Sequence, residues 1–452
     1  MTTSESDLEL LYAEHLRILT QRFGAALEAT GFERCVVFAG ELRSEPRDDT
    51  SYPFRVEPYF AAWLPFVTAP GSVVCFEPGR RPKLIYRQDA DFWHLPPADP
   101  EGGWARHFDI AIARSAWDTA HELRTWKIGA AALGPLPAAA EHHARRRDDH
   151  FAATNHSGLL ARLDYDRAFK TPFEIACMTV ANQIAARGHR AVAAAFEAGV
   201  SEFELNQIYC SATRQREPEL PYSSIIALNE HAAVLHYQHL DRSAPAESRS
   251  FLIDAGAKHL GYAADVTRTW QRGAHGFGEL IEAMDELQQA VCGEVAAGIE
   301  FVDLNERTHR LLASLLAEHE IVRCSAEQAY ETGLTRVFLP HGLGHLLGLQ
   351  VHDAGGWQVS RDGAIREPPE THPFLRLTRK LASGFALTIE PGLYFIESLL
   401  SGVATSQQKL LDIEKIAALS PYGGIRIEDN LVVESTRNRN LTREAFGSMD
   451  AG

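Results

Sequence analysis

From Leu8 to Leu27 apolar residues recur at the three-to-four spacing of an amphipathic helix, whereas Cys35-Val36-Val37-Phe38 and Ser72-Val73-Val74-Cys75-Phe76 are short apolar runs bounded by Gly or Pro. That alternation predicts an α/β arrangement for the first part of the chain. Between the runs, Arg47-Asp48-Asp49-Thr50-Ser51-Tyr52-Pro53-Phe54 is polar and then Pro-containing, as an exposed loop should be. A charged stretch over 141–165, with Arg145-Arg146-Arg147-Asp148-Asp149, reads as a solvated connection and sets a domain boundary near residue 160.

Past this boundary, Thr171, Pro172 and Glu174 stand as N-cap, first helical residue and capping-box acid ahead of Ile175, Met178, Ile184, Val192 and Phe196, and Gly199 is a natural stop. Ser201 and Glu204 repeat the capping-box spacing, so a second helix should begin at once. From Phe251 the pattern turns to β: Phe-Leu-Ile-Asp-Ala-Gly and Tyr-Ala-Ala-Asp-Val-Thr-Arg-Thr-Trp flank a short polar segment, as in a hairpin. Helical patterns over 276–297 and 303–318 and β-like runs at 386–395 and 425–433 complete an α+β second domain, giving domains of 1–160 and 161–452.

Composition narrows the class. At 452 residues the chain exceeds a single ordinary core, and 45% hydrophobic with 23% charged residues is globular. A net charge of −16 argues against nucleic-acid partners. The six cysteines, Cys35, Cys75, Cys177, Cys210, Cys292 and Cys324, form no Cys-x-x-Cys pair, which suits buried thiols in a reducing compartment. The N-terminal residues lack a basic and then apolar leader pattern, and the apolar stretch near 128–140 is short and broken by Pro135 and Pro137. A cytoplasmic protein with no membrane partner is expected.

Candidate chemistry lies in the second domain. Asp254 and Asp265 are eleven apart, so a hairpin folded symmetrically about His259-Leu260 would set the two carboxylates directly opposite, an arrangement that asks for a cation between them. His341-Gly342-Leu343-Gly344-His345 carries imidazoles at i and i+4, but Pro340 and two glycines favour a loop over a metal-binding helix. Glu390 ends an apolar run before Pro391-Gly392, where a carboxylate can reach a cleft. In the 424–430 segment, period two puts Arg426, Glu428 and Asn430 on one face, where Arg426 could orient Glu428. Singly, each has a plainer reading as a surface acid, a turn or a local ion pair. Together, four carboxylates balance two divalent cations. With an imidazole and no sulfur, they suit Mn²⁺ first and tolerate Co²⁺ or Zn²⁺.

Asp254, Asp265, His345, Glu390 and Glu428 fall, in that order, within DAGAKHLGYAADVTRT, PHGLGHLLGLQVHD, LTIEPGLYF and GIRIEDN. This series resembles the pita-bread metallopeptidases, specifically the proline dipeptidases and the organophosphorus acid anhydrolases. The likeness reaches the first domain through DDTSYPFRVEPYFAAWLP and KLIYRQDADFWH. It implies a creatinase-like α/β N-terminal domain, an α+β pita-bread catalytic domain and a homodimer. It also implies that Asp254 chelates one metal, that Asp265 and Glu428 bridge both, and that His345 and Glu390 hold the other, with Glu390 relaying a proton to the leaving nitrogen.

By the same resemblance, His236 and His352 surround the substrate carboxylate and the developing oxyanion, Arg376 takes the proline carboxylate, and Arg426 holds the bridging acid. Tyr222, Val351 and His352 match the pocket wall, His341 adds to the substrate-binding set, and Asp49 matches a residue lent by the neighbouring subunit. Where organophosphorus-hydrolysing relatives carry a pocket tyrosine, this chain has Phe301, so only a side activity on organophosphorus esters is expected. The implied substrate is an Xaa-Pro dipeptide. The alternatives are an Xaa-Pro aminopeptidase acting on longer peptides and a non-catalytic peptide-binding module. The 38 residues separating His352 from Glu390, which house Arg376, favour a site closed beyond proline.

Overall fold

The computed structural model describes residues 5–89, 91–136, 151–273, 276–435 and 437–450; the Arg145–Asp149 charge run and Pro137 lie outside them. The chain divides into two compact units. One comprises 1–167, 171–176 and 360–364, and the other 168–170, 177–359 and 365–452. No described helix is long and apolar enough to cross a membrane, and all six cysteines are free.

The first unit is α/β. Its helix Glu5–Thr30 buries Tyr12, Leu16, Leu19, Phe23 and Leu27, the three-to-four spacing read from the sequence. The two apolar runs become Arg34–Phe38 and Val73–Phe76, antiparallel neighbours inside a six-stranded sheet. Central strands covered on both faces need no polar alternation, which is why these runs are continuously apolar.

Thr171 and Glu174 form the expected reciprocal cap of the helix Pro172–Phe196: the Thr171 amide donates to Glu174 (2.8 Å) and the Glu174 amide to Thr171 (3.4 Å). The capping box of Ser201 and Glu204 starts the helix Glu202–Thr213. Helices Phe277–Glu294 and Phe301–Glu318 follow as expected. Phe301 is fully buried in the apolar core.

The hairpin register differs from the one expected. Strand Ser250–Asp254 pairs with Thr267–Gln271 so that Asp254 faces Thr267, and His259 faces Tyr262. The turn is therefore Leu260-Gly261, both at positive φ (49° and 82°), a two-residue loop whose second position glycine fills without strain. This moves Asp265 opposite Gly256, leaving the two aspartates as diagonal neighbours on one face rather than a direct pair.

The late β-runs also differ, and the difference matters. Each is two strands: Ala386–Ile389 pairs with Asp429–Val433, and Gly392–Tyr394 with Gly424–Arg426. The register is the same on both sides of the break (Ile389 with Asp429, Gly392 with Arg426), so Glu390 and Glu428 face each other within the interruption. The loop 343–347 runs antiparallel beside 386–390, with the Thr388 amide donating to the His345 carbonyl (2.9 Å) and the Glu390 amide to the Leu343 carbonyl (2.9 Å). That approach requires glycine: a Cβ on Gly344 would lie 2.1 Å from the Thr388 carbonyl oxygen.

Gly344→Ala should therefore lower unfolding stability by about 1–3 kcal/mol, read as the urea midpoint, because backbone rather than a mobile side chain must yield. A second outcome concerns His309, buried beside Thr335 (Nδ1 to Oγ1 3.0 Å) and His372 (ring centroids 4.5 Å), whose pKa burial and the His372 charge pull to about 3. The unfolded chain then binds the extra proton below about pH 6.5, so this contribution is whole at neutral pH and declines as pH falls toward 3. Between pH 6 and 4, His309→Gln should unfold with a pH slope shallower than wild type by up to about one proton; parallel slopes would contradict this.

Candidate metal centre

Asp265, His345 and Glu428, all buried, each direct one ligand atom to within 4.8 Å of the others. His345 Nε2 lies 3.4 Å from Asp265 Oδ2 and 3.5 Å from Glu390 Oε1. The Tyr222 hydroxyl sits between Asp254 Oδ1 (2.6 Å) and Asp265 Oδ1. The five residues singled out from the sequence thus form one connected group, drawn from a hairpin, a glycine loop and the two sides of the interrupted ladder. His345 Nδ1 donates to the Leu346 carbonyl (3.0 Å), which directs Nε2 at the acids; Asp265 and Glu390 favour a proton there against the opposing effect of burial, and Nε2 is the nitrogen that would be freed for a cation.

The electrostatics fit cations. Burial, followed by repulsion from Asp265, Glu390 and Asp254, pushes Glu428 well above the carboxylate range. Burial pushes Glu390 up to about 7, against the opposing pull of His345. Asp254 is raised by burial although Arg426 opposes it. Asp265 is the exception: burial raises it, but the hydrogen bond and charge of His345 outweigh that and hold it low. Glu428 Oε1 is buried with no hydrogen-bond partner among the described residues, an acceptor set among acids. These residues suit divalent cations.

Arg426 does something other than expected. Its Nη2 donates to Asp254 Oδ2 (2.7 Å) and its Nη1 to the Tyr394 hydroxyl (2.9 Å), so it braces Asp254 rather than Glu428. It reaches Glu428 only through Thr267, whose Oγ1 accepts from Arg426 Nε (3.2 Å) and donates to Glu428 Oε2 (2.7 Å). The reason is the hairpin register, which sets Thr267 opposite Asp254 and inserts its hydroxyl between the guanidinium and the glutamate. His341 has both ring nitrogens engaged, Nδ1 on the Gly342 carbonyl (2.9 Å) and Nε2 on the Tyr394 hydroxyl (2.8 Å). Burial first, then Arg426, takes its pKa to about 4.

Thr267, Tyr394 and a deeper ion-pair set were not legible as site residues. Arg268 donates to the Glu428 carbonyl (2.7 Å) and to Asp429 Oδ1 (2.6 Å), while Arg443 binds Asp429 Oδ2 (2.7 Å). The two guanidinium groups overcome burial and hold Asp429 at about 2. The only available signal was Arg268 two residues before Trp270 on the hairpin and Asp429 beside Glu428, which an exposed pair would also give.

His236, His352 and Arg376 are exposed and have no hydrogen-bond or ion-pair partner among the described residues. The His352 ring stands edge-on to His345 (centroids 4.4 Å, 88°). Partial burial first, then the charges of His345 and Arg376, take its pKa to about 4, and His236 adds to the effect. Val351 is half-buried beside it. Asp49 lies on an exposed loop of the first unit and is not among the groups gathered here.

The description "Metallopeptidase family M24" matches residues 176–435, and "Xaa-Pro dipeptidase, N-terminal domain" matches 10–165. The chain is 44% identical over 452 residues to an Xaa-Pro dipeptidase of Xanthomonas campestris pv. campestris (strain B100), covering 98% of this chain and 100% of the relative. It is 42% identical over 446 residues to an Xaa-Pro dipeptidase of Stenotrophomonas maltophilia (strain K279a), covering 98% and 99%. Among solved structures, aminopeptidase P from E. coli with the inhibitor Pro-Leu aligns at TM-score 0.71 and 22% identity, over 96% of this chain and 98% of that one. The aminopeptidase PepP of Pseudomonas aeruginosa aligns at 0.72 and 21%, over 98% and 99%. At that identity the likeness is one of fold, the two-domain pita-bread architecture. A chain that carries the four acids and one imidazole in one connected group, and matches at this level from end to end, belongs to metallopeptidase family M24, with the N-terminal domain of its Xaa-Pro dipeptidases.

Proposed function

We propose that the second unit hydrolyses Xaa-Pro dipeptides to release free proline, using two divalent cations held by Asp254, Asp265, His345, Glu390 and Glu428. The observation that carries this reading is the interrupted ladder, in which Glu390 faces Glu428 across a buried gap beside Asp254, Asp265 and His345. Like charges there are stable only with cations among them. The sulfur-free donor set suits Mn²⁺, with Co²⁺ or Zn²⁺ as substitutes. When bound, such cations supply Lewis acidity and an activated water.

The chain's own residues do the rest. An Xaa-Pro bond is a tertiary amide without N–H, so a site that grips that donor fails on it, and recognition must come from elsewhere on the substrate. Arg376, exposed and without a hydrogen-bond or ion-pair partner among the described residues, takes the proline carboxylate with its planar fork. His236 and His352 direct donors at the carboxylate and the developing oxyanion. Glu390, at a strand end, passes a proton to the leaving nitrogen. Tyr222 and Val351 wall the pocket. His341 acts through Tyr394 and Arg426 on Asp254.

In the same reading residues 1–160 and 161–452 are the two functional domains, and Asp49 serves the site of a second copy in a homodimer. The free thiols suit the cytoplasm. Tetrahedral phosphorus resembles the peptide transition state, so weak hydrolysis of P–F or P–O esters accompanies the main activity.

Removal of bound metal should abolish Ala-Pro hydrolysis, and added Mn²⁺ should restore it from zero; turnover indifferent to metal would leave a binding module instead. Wild type should cleave Ala-Pro but not Ala-Pro-Ala. Arg376→Ala should raise KM for Ala-Pro by about 10-fold or more, the worth of a charge-assisted hydrogen bond, with kcat little changed. Equal rates on the two peptides would assign an aminopeptidase.

A further inference from the structure

Glu202 opens the helix Glu202–Thr213 and is 1% exposed. With His231 and Asp241 it forms a second group of cation-binding residue types. Its oxygens are already taken. Oε1 accepts from the Leu228 amide (2.9 Å) and His231 Nδ1 (2.7 Å), and Oε2 from the Tyr237 hydroxyl (2.7 Å) and the Asp241 amide (2.8 Å). Four donors fill the acceptor sites of one carboxylate, so no lone pair is left for an ion.

All four donors come from one segment, 228–241, and that segment carries His236. His231 stacks on Tyr237 (centroids 4.5 Å, 20°), closing the segment on itself. Tyr237, the residue after His236, is thereby fixed at both ring face and hydroxyl. At the other end Asn229, at a positive φ of 54°, donates to the Glu247 carbonyl (2.7 Å) and accepts from the Arg249 amide (2.7 Å). His236 itself has no such tether among the described residues and depends on its neighbours for its place.

We propose that Glu202 is the positioning residue of His236: one buried carboxylate anchors the segment on both sides of the histidine and holds its ring toward the bound dipeptide. This rests on the reading that the site hydrolyses Xaa-Pro dipeptides with His236 on the substrate. The test is a cycle of Glu202→Gln, His236→Ala and the double variant, each loaded with Mn²⁺ and assayed on Ala-Pro. Glu202→Gln and His236→Ala should each lower kcat/KM about 10-fold or more, and the double variant should be no slower than His236→Ala. Losses that multiply in the double variant, or a Glu202→Gln variant as fast as wild type, would overturn the proposal.

If Glu202→Gln does not fold, Tyr237→Phe, which deletes a single donor, replaces it. It should cost about fivefold in kcat/KM, and nothing further in the His236→Ala background; no loss, or a multiplying one, again overturns it. A readout apart from turnover is the histidine-labelled NMR spectrum of the metal-free protein. The resonance missing in His236→Ala should move in Glu202→Gln, or in Tyr237→Phe if that variant replaces it, and an unmoved resonance speaks for a purely structural acid. Wild type inactive on Ala-Pro would sink the dipeptidase reading itself. An active wild type with a fully active His236→Ala variant would sink only this proposal.

Discussion

Four carboxylates gathered around a single imidazole repel one another, and the second unit is arranged to bear that repulsion. Two unit charges about 4 Å apart at the effective dielectric of a protein site interact by about 4 kcal/mol, more than most single contacts contribute. The protein's own cations relieve only part of the load: Arg426 stands on Asp254, and His345 between Asp265 and Glu390. Glu390 and Glu428 are left facing each other with their proton affinities raised by burial and by like charge. A group held this way is unfavourable in isolation and well suited to divalent cations, and folding and metal affinity are coupled at this point.

The supporting structure shares the same logic. Behind Glu428, Arg268 and Arg443 each hold one oxygen of Asp429, so the strand that follows the acid cannot shift without breaking an ion pair to a fully buried carboxylate. On the other flank Arg426, Tyr394 and His341 form a chain of hydrogen bonds ending on a backbone carbonyl. Breaking either set would strand a buried charge, which is far more costly than the net worth of the bonds. Rigid ligand geometry follows from these two braces.

Outside the centre lies a different kind of surface. His236, His352 and Arg376 are exposed and have no hydrogen-bond or ion-pair partner among the described residues, in contrast to the dense hydrogen bonding around Arg426 and Asp429. Inner groups are held by bonds; outer ones are held by the segments that carry them. This division separates the part of the site suited to cations from the part suited to an anionic substrate end.

The sequence alone determined much of this. Reciprocal caps at Thr171 and Ser201 and the apolar runs at 35–38 and 73–76 are local features, set by propensity, and each stands where its pattern put it; Asp254, Asp265, His345, Glu390 and Glu428 could be singled out by residue type, but not the register in which they meet. Tertiary structure decided the rest, because it depends on register and on residues distant in the chain. A turn placed one residue later set Asp254 against Thr267 and made Arg426 a brace for Asp254. A ladder broken at two glutamates brought Glu390 and Glu428 face to face. The deeper pairing of Arg268 and Arg443 on Asp429 is invisible to any pattern, since side chains separated by 161 and 14 positions meet only once the strands have paired.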